Sequence, residues 1–394
     1  MIEDINKDLN NLLPQLIDFR QLIHKNPELS NKEYKTSKLI YDTLLENDIK
    51  PSYINEGIGV TALIQGKEGG PTVAYRADMD ALAIEENTDL SFKSSVPNCM
   101  HACGHDIHIT VLLGTALILN KLRDKLKGNI RLIFQSGEEN FTGARQAIES
   151  GVLDNPKVDC ILAIHTWPDL PAGTIGLKRG CMMASSSNVN FEVVGQGGHA
   201  AHPHKCIDPI ITASYILTSI QSIISRNVPP LDSAVITFGK FIAGTASNII
   251  PNSAYVEGTV RTTSDKLDKL IEEKITNIIT KQAEGFGATS TVNYKKICST
   301  VTNNDTVVDL LENSTKSSIG NQNLHWLSNP SMGSEDFSLY LEKVPGALIR
   351  LGTSNQSDSS KLALHNSKII FDENSIETGV RFMTNAIINI LNNF

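Results

Sequence analysis

Apolar residues recur at Ile2, Ile5, Leu9, Leu12, Leu16, Phe19 and Ile23. Spacings of three and four predict a helix with one buried face over the first 25 residues. Pro14 sits inside that pattern, where it removes a backbone donor and crowds the preceding turn, so a kink or break is expected. Residues 34–46 form a second helical candidate, 59–65 and 72–76 read as strands, and 107–122 reads as a helix. The short apolar runs at 129–135 and 159–164 are of the buried-strand type. Strands alternating with helices predict an α/β layer with a mixed, mostly parallel sheet. In such sheets chemistry gathers beyond the C-terminal strand ends, and Asp78, Glu138 and His165 each follow a predicted strand.

The pattern changes after about residue 184. A strand at 188–194 runs into the turn Gly195-Gln196-Gly197-Gly198. Asp208-Pro209 supplies an N-cap and a first-turn proline for the stripe Ile210, Ala213, Ile216, Leu217, Ile220 and Ile224. Strands at 234–238 and 254–261, a helix at 263–283 and a strand at 289–295 complete a β-α-β-β-α-β order. That order predicts a small α+β, ferredoxin-like sheet with two helices on one face. Residues 185–296 thus read as a domain inserted into another formed by 1–184 and 297–394. The latter resumes with a helix at 304–316, one opening at Ser334, a strand at 347–351 and a terminal helix capped by Asn374-Ser375-Ile376-Glu377.

Composition narrows the classes. A chain of 394 residues suits two domains, and 40% hydrophobic with 20% charged residues is ordinary for a globular protein. A net charge of −8 speaks against a nucleic-acid or anionic-membrane partner. The N-terminus lacks a basic segment followed by an apolar one, and no apolar run approaches ~20 residues. Six scattered cysteines do not make a disulfide framework. A cytoplasmic chain is the expectation.

The densest chemistry lies in Met100-His101-Ala102-Cys103-Gly104-His105-Asp106-Ile107-His108. A thiolate can bridge two ions, and imidazole suits zinc, cobalt, nickel or manganese. Glu138-Glu139 closes a buried-type strand, so one carboxylate can hold an ion while the other accepts a proton from water. Alone, each of these residues also fits a bland role: a buried thiol, a solvated acidic turn, or a core histidine at His165 or His365. Together they point to a two-metal hydrolytic centre assembled from distant segments. His199, His202 and His204 form a second cluster, read either as another metal site or as a glycine-turn loop presenting one histidine to an oxyanion. Asn248 and Arg261 read as turn and surface residues or as a carboxylate clamp. Two competing classes stay open: a hydrolase using Cys103 as nucleophile, and a non-catalytic binding scaffold.

The chain resembles the metallo-amidohydrolases that include bacterial aminoacylases, hippurate hydrolase and plant auxin-conjugate hydrolases, relatives of the glutamate-releasing carboxypeptidases. The landmarks run over nearly the whole chain: Arg20 and His24-x-x-Pro27-Glu28-Leu29, Arg76-Ala77-Asp78-Met79-Asp80-Ala81-Leu82, His101 to Asp106, Glu138-Glu139, His165-Thr166-Trp167-Pro168, Gly197 to Ala201, Asn248-Ile249-Ile250-Pro251, Gly333 to Phe337, and Leu364-His365. The resemblance implies two divalent ions (Zn, Mn, Co or Ni) bridged by Cys103. His105 and His165 would complete one site, Glu139 and His365 the other. It implies Glu138 as general base, Asp78 as a group orienting a ligand histidine, and His199 as oxyanion donor from a lid domain, in its own or the partner subunit. Asn248 and Arg261 would hold the substrate's carboxylate. The implied reaction is cleavage of N-acyl amino acids, with small peptides or aryl conjugates as the alternative, by a homodimer paired through the inserted domain. Arg76 stands where distant relatives carry a metal-binding histidine, and His105 is expected to compensate. Asn140 to Arg145 and Gly137 depart from the family pattern, which leaves every implied ligand in place but alters the expected pocket wall.

Overall fold

The computed structural model describes residues 2–394; Met1 and the side chains of Ile2 and Glu3 lie outside the described residues, so the place of Ile2 in the apolar stripe does too. The chain forms two compact units: Met1–Met182 with Thr302–Asn329 and Asp336–Phe394, and Met183–Val301 with Pro330–Glu335.

The first unit is built on an eight-stranded sheet in the order Pro51–Asn55, Ile58–Gln65, Lys127–Gln135, Glu68–Asp78, Cys160–Pro171, Gly346–Ser354, Ile175–Leu177 and Leu324–Trp326. Its four central strands, Lys127–Gln135 through Gly346–Ser354, are parallel, and the antiparallel pairs lie toward the edges. Arg76, Ile133 and Ala163 are register partners across three of those strands, so the segments after them leave the sheet at the same end. The helix His105–Lys121 is buried from His105 to Leu119, because beyond its polar first turn it is apolar on nearly every side. It packs against Glu68–Asp78 and the helices Ile2–Lys25 and Asn374–Asn393. One core joins these layers, with Leu9, Leu16, Ile109, Leu113, Ile130, Ile164, Phe382 and Ile387 inside it.

The second unit holds a four-stranded antiparallel sheet in the order Ala234–Ala243, Ser253–Thr262, Ser186–Val194, Thr289–Cys298. Alternate residues Val189, Phe191, Val193, Ala254, Val256 and Val260 point into a separate core with Ile216 and Ile220 of Pro209–Arg226 and Ile271, Ile275 and Ile279 of Asp265–Gly285. Asp208 caps the first of these helices by accepting from the N–H groups of Ile210 and Ile211 at 2.9 and 3.3 Å.

Four local expectations change. The helix Ile2–Lys25 runs unbroken through Pro14, which is exposed, while Ile5, Leu9, Leu16 and Ile23 on both sides anchor it to the core. The helix expected from Ser334 is the single turn Ser338–Leu341. The terminal helix is capped by Asp372, which accepts from the N–H of Asn374 at 2.9 Å, rather than by its own first four residues. His165 lies inside Cys160–Pro171, not at a strand end.

Candidate metal centre

Cys103 sits in the loop that feeds the buried helix, and His105 is the first residue of that helix. Between them Gly104 takes φ 82°, and a β-carbon there would stand 2.7 Å from Cγ2 of Thr166. Only glycine fits that turn. Glu138 and Glu139 follow Lys127–Gln135 across Gly137, φ 64°, whose N–H donates to Glu33 at 2.8 Å. His365 adopts φ 67° in a loop and donates its N–H to the carbonyl of Ala102 at 3.0 Å, which ties the two loops together.

These segments bring their side chains to one place. Ligating atoms of Cys103, His105 and His165 lie within 4.8 Å of one another, as do those of Cys103, Glu139 and His365, and those of His105, Glu138 and Glu139. The first two triads share the sulfur of Cys103. Nδ1 of His165 donates to the carbonyl of Thr166 at 2.8 Å, so the lone pair of Nε2 faces Sγ of Cys103 at 3.6 Å. Burial, and then the cation of Arg350, hold that ring well below the usual histidine range, which keeps it neutral as a ligand must be. His365 is pushed up to about 10, chiefly by hydrogen bonding to Cys103 and Glu139. Burial opposes charge on His105, yet Asp78 and Cys103 outweigh it and raise the ring well above its ordinary value.

Asp78 behaves differently from the expectation that it serves a ligand histidine. It meets Nδ1 of His108 at 2.5 Å and Nη1 of Arg76 at 2.6 Å, but comes only to 3.8 Å from Nε2 of His105. The N–H of Thr166 donates to Nε2 of His108 at 2.8 Å, so Nδ1 carries the proton toward Asp78. Both nitrogens of His108 are therefore committed, and it is a poor ligand despite its nearness to Asp78 and His105. Arg76 also donates to Asp336 at 2.7 Å and to Gln135 at 2.9 Å, and Gln135 donates to Asp336 at 2.8 Å. Burial opposes ionisation of Asp78, but the charges of His105 and Arg76 and the hydrogen bond from His108 hold it well below the carboxylate range. Sequence reasoning gave no role to Asp80, Gln135, Asp336 or His108. Asp80, two residues beyond Asp78 in the same motif, was the visible signal.

His199, Asn248 and Arg261 belong to the second unit. The short strands Gly198–His199 and Ile249–Ile250 pair, and the N–H of Ala200 donates to the carbonyl of Asn248 at 3.1 Å. Nδ1 of His199 accepts from the N–H of Ala201 at 3.0 Å, so Nε2–H is left as an exposed donor. Arg261 donates to the hydroxyl of Ser334. His199, His202 and His204 have neighbouring rings, 5.5 and 6.0 Å between centroids, but form no metal-capable triad among the described residues.

The first-unit cluster fits a pair of divalent ions on its own chemistry. It offers a soft thiol, borderline imidazoles and hard carboxylates. Nε2 of His105 is buried without a hydrogen-bond partner, as a group reserved for an ion would be. A mostly parallel α/β sheet carrying such a cluster, with a separate antiparallel α+β unit inserted, suits a metal-dependent hydrolase. Residues 74–389 match the Peptidase family M20/M25/M40 profile, and the chain belongs to that family. It is 38% identical over 378 residues to an N-acetylcysteine deacetylase of Bacillus subtilis, covering 96% of this chain and 97% of that one. It is 37% identical over 388 residues to thermostable carboxypeptidase 1 of Saccharolobus solfataricus, covering 96% of each. The crystal structure of a Bacillus subtilis dinuclear metal binding peptidase of the M20 family superposes with a TM-score of 0.86 at 34% identity, over 98% of this chain and 100% of the other.

Proposed function

We propose that this chain cleaves the amide bond of N-acyl amino acids, releasing a carboxylic acid and a free amino acid, with two divalent ions per subunit. The observation that carries this reading is the pair of ligand triads meeting at one sulfur, with a further carboxylate beside them. Cys103, His105 and His165 would hold one ion, and Cys103, Glu139 and His365 the other. Such ions, when bound, polarise an acyl carbonyl and make water acidic enough to attack near neutral pH. Glu138, 5% exposed and next to Glu139 and His105, would take the proton of the attacking water and pass it to the leaving nitrogen. His199, with Nε2–H outward, would donate to the oxyanion. Asn248 and Arg261 would hold the substrate's carboxylate, because a guanidinium pairs with carboxylate through two parallel N–H groups.

The cysteine-nucleophile reading is the weaker one. A Cys–His pair is present, yet it leaves Glu139, His105 and His365 gathered at the same sulfur without a task. Cleavage of small peptides is the second reading for the same centre, supported by the carboxypeptidase relative. On the second unit, Ile210, Ile211, Tyr215 and Phe286 are exposed, and the Tyr215 and Phe286 rings lie 5.4 Å apart. That apolar surface supports a homodimer paired through this unit. No helix among the described residues is long and apolar enough to cross a membrane, and a cytoplasmic enzyme is proposed.

The test is hydrolysis of a panel of N-acetyl, N-benzoyl and dipeptide substrates with added manganese, cobalt, nickel or zinc, alongside elemental analysis. Glu138→Ala should retain both ions while hydrolysis drops about 10²–10⁴-fold. A metal-free Glu138→Ala protein would mean that Glu138 and Glu139 exchange roles, and no turnover of any substrate would refute the reading.

A further inference from the structure

The turn that carries Glu138 and Glu139 is held by a segment near the N-terminus. The strand Lys127–Gln135 ends its ladder at Gln135, the register partner of Asp78, so the N–H of Gly137 lies past the end of the sheet. Glu33 gives it a partner: Oε1 accepts from Gly137 at 2.8 Å. Glu33 is buried, and its Oε2 has no hydrogen-bond partner. The residue occupies the N-cap position of Tyr34–Glu46, yet its side chain caps nothing there. Glu28 does that work, accepting from the N–H groups of Lys35 and Thr36 at 3.2 and 2.8 Å. The Glu33 carboxyl is thereby available to a residue 104 positions along the chain. Asn31, φ 61°, braces the same turn by donating to the hydroxyl of Thr142 at 3.0 Å, and a β-carbon on Gly137 would stand 2.8 Å from its Oδ1. On the far side, the N–H of Glu139 donates to Asp80 at 3.0 Å. Glu138 therefore lies between two peptide groups, each anchored on a buried carboxyl.

We propose that Glu33 is a positioning residue for the proton-transfer step: by holding Gly137 it aims the carboxylate of Glu138. The inference rests on the reading of Glu138 as base given above. Glu139 keeps its own anchor, so loss of Glu33 disturbs the base and spares the ions. Alanine removes the acceptor for Gly137, whereas glutamine keeps an oxygen in its place. Displacement of a reacting group by about 1 Å can cost about 10²-fold in rate.

The experiment measures kcat, KM, bound ions and melting point for manganese-loaded wild type, Glu33→Ala, Glu33→Gln, Glu28→Ala and Glu138→Ala, with an N-acetyl amino acid as substrate. Glu33→Ala should lower kcat about 10–100-fold, with KM unchanged and both ions retained. Glu33→Gln should restore wild-type kcat. Glu28→Ala, which loses a helix cap, should melt lower with kcat unchanged. Unchanged kcat in Glu33→Ala, an equal loss in Glu33→Gln, or loss of an ion from Glu33→Ala overturns the proposal. So does a fall of kcat in Glu28→Ala as large as that in Glu33→Ala, because general loosening of the segment would then suffice. Should Glu33→Ala not fold, Glu33→Asp withdraws the acceptor by one methylene: lower kcat with both ions bound is expected, and wild-type kcat overturns the proposal. Wild-type kcat in Glu138→Ala overturns the base reading and this inference with it. Normal kcat in Glu33→Ala beside an inactive Glu138→Ala overturns this inference alone.

Discussion

At the scale of single residues, the hydrogen bond that fixes a ring's tautomer also fixes what the ring can do. His199 accepts at Nδ1 from Ala201 and keeps a donor at Nε2. An oxyanion donor contributes ~2.7–4 kcal/mol, so His199→Ala should lower kcat by about 10²–10³-fold with both ions still bound. Unchanged kcat would remove it from the reaction. Glu33 gives a pH prediction. Burial, and then the charge of Asp80, push its carboxyl up to about 7 from 4.5. Between those values the folded chain keeps a proton that the unfolded chain has lost, so stability falls as pH rises through the window. Glu33→Gln should flatten that fall in the metal-free protein and stabilise it at pH 8 by about 1–3 kcal/mol in urea unfolding. The residues legible in the sequence were those whose signal is local: Cys103 and His105 two apart, Glu138 beside Glu139. Asp80 and His108 escaped because their roles come from partners across the chain, Glu139 and Thr166.

At the scale of elements, the buried helix His105–Lys121 positions the centre. Its N-terminal turn depends on Gly104, whose φ of 82° and contact with Thr166 admit no side chain. Gly104→Ala should cost about 1–3 kcal/mol and displace Cys103 from His165, read as a lower melting point together with loss of bound metal. A normal melting point with full metal content would show that the loop can shift freely. Most long elements were legible from periodicity, as with Tyr34–Glu46 and Pro209–Arg226. The short strands Ile175–Leu177, Gly198–His199 and Leu324–Trp326 were not, because two or three residues carry no period and form only by pairing with a neighbour. The 3.6-residue stripe also outlasted Pro14, because core contacts on both sides outweigh one missing hydrogen bond.

At the scale of the molecule, the centre couples folding to metal and pH. The metal-free chain holds His365 up to about 10 and His105 well above its ordinary value, so both carry protons at pH 7 that an ion must displace. Affinity should therefore rise with pH between 6 and 9, with proton release seen by calorimetry in buffers of different ionisation enthalpy. A pH-independent affinity would contradict this. Chelation should lower the melting point, since ligand at one hundred times Kd adds ~2.7 kcal/mol to the folded state.

The placement of Gly346–Ser354 bears on synthesis. This strand lies between Cys160–Pro171 and Ile175–Leu177, and Gly346 pairs with Ile161. At 5–20 residues per second, a ribosome would leave that gap open for roughly 10–40 s. Through that interval the nascent sheet presents the apolar edge of Cys160–Pro171 with nothing to complete it, a template for mispairing with another chain. A nascent chain stalled before Gly346 should therefore aggregate more readily than one that includes Gly346–Ser354.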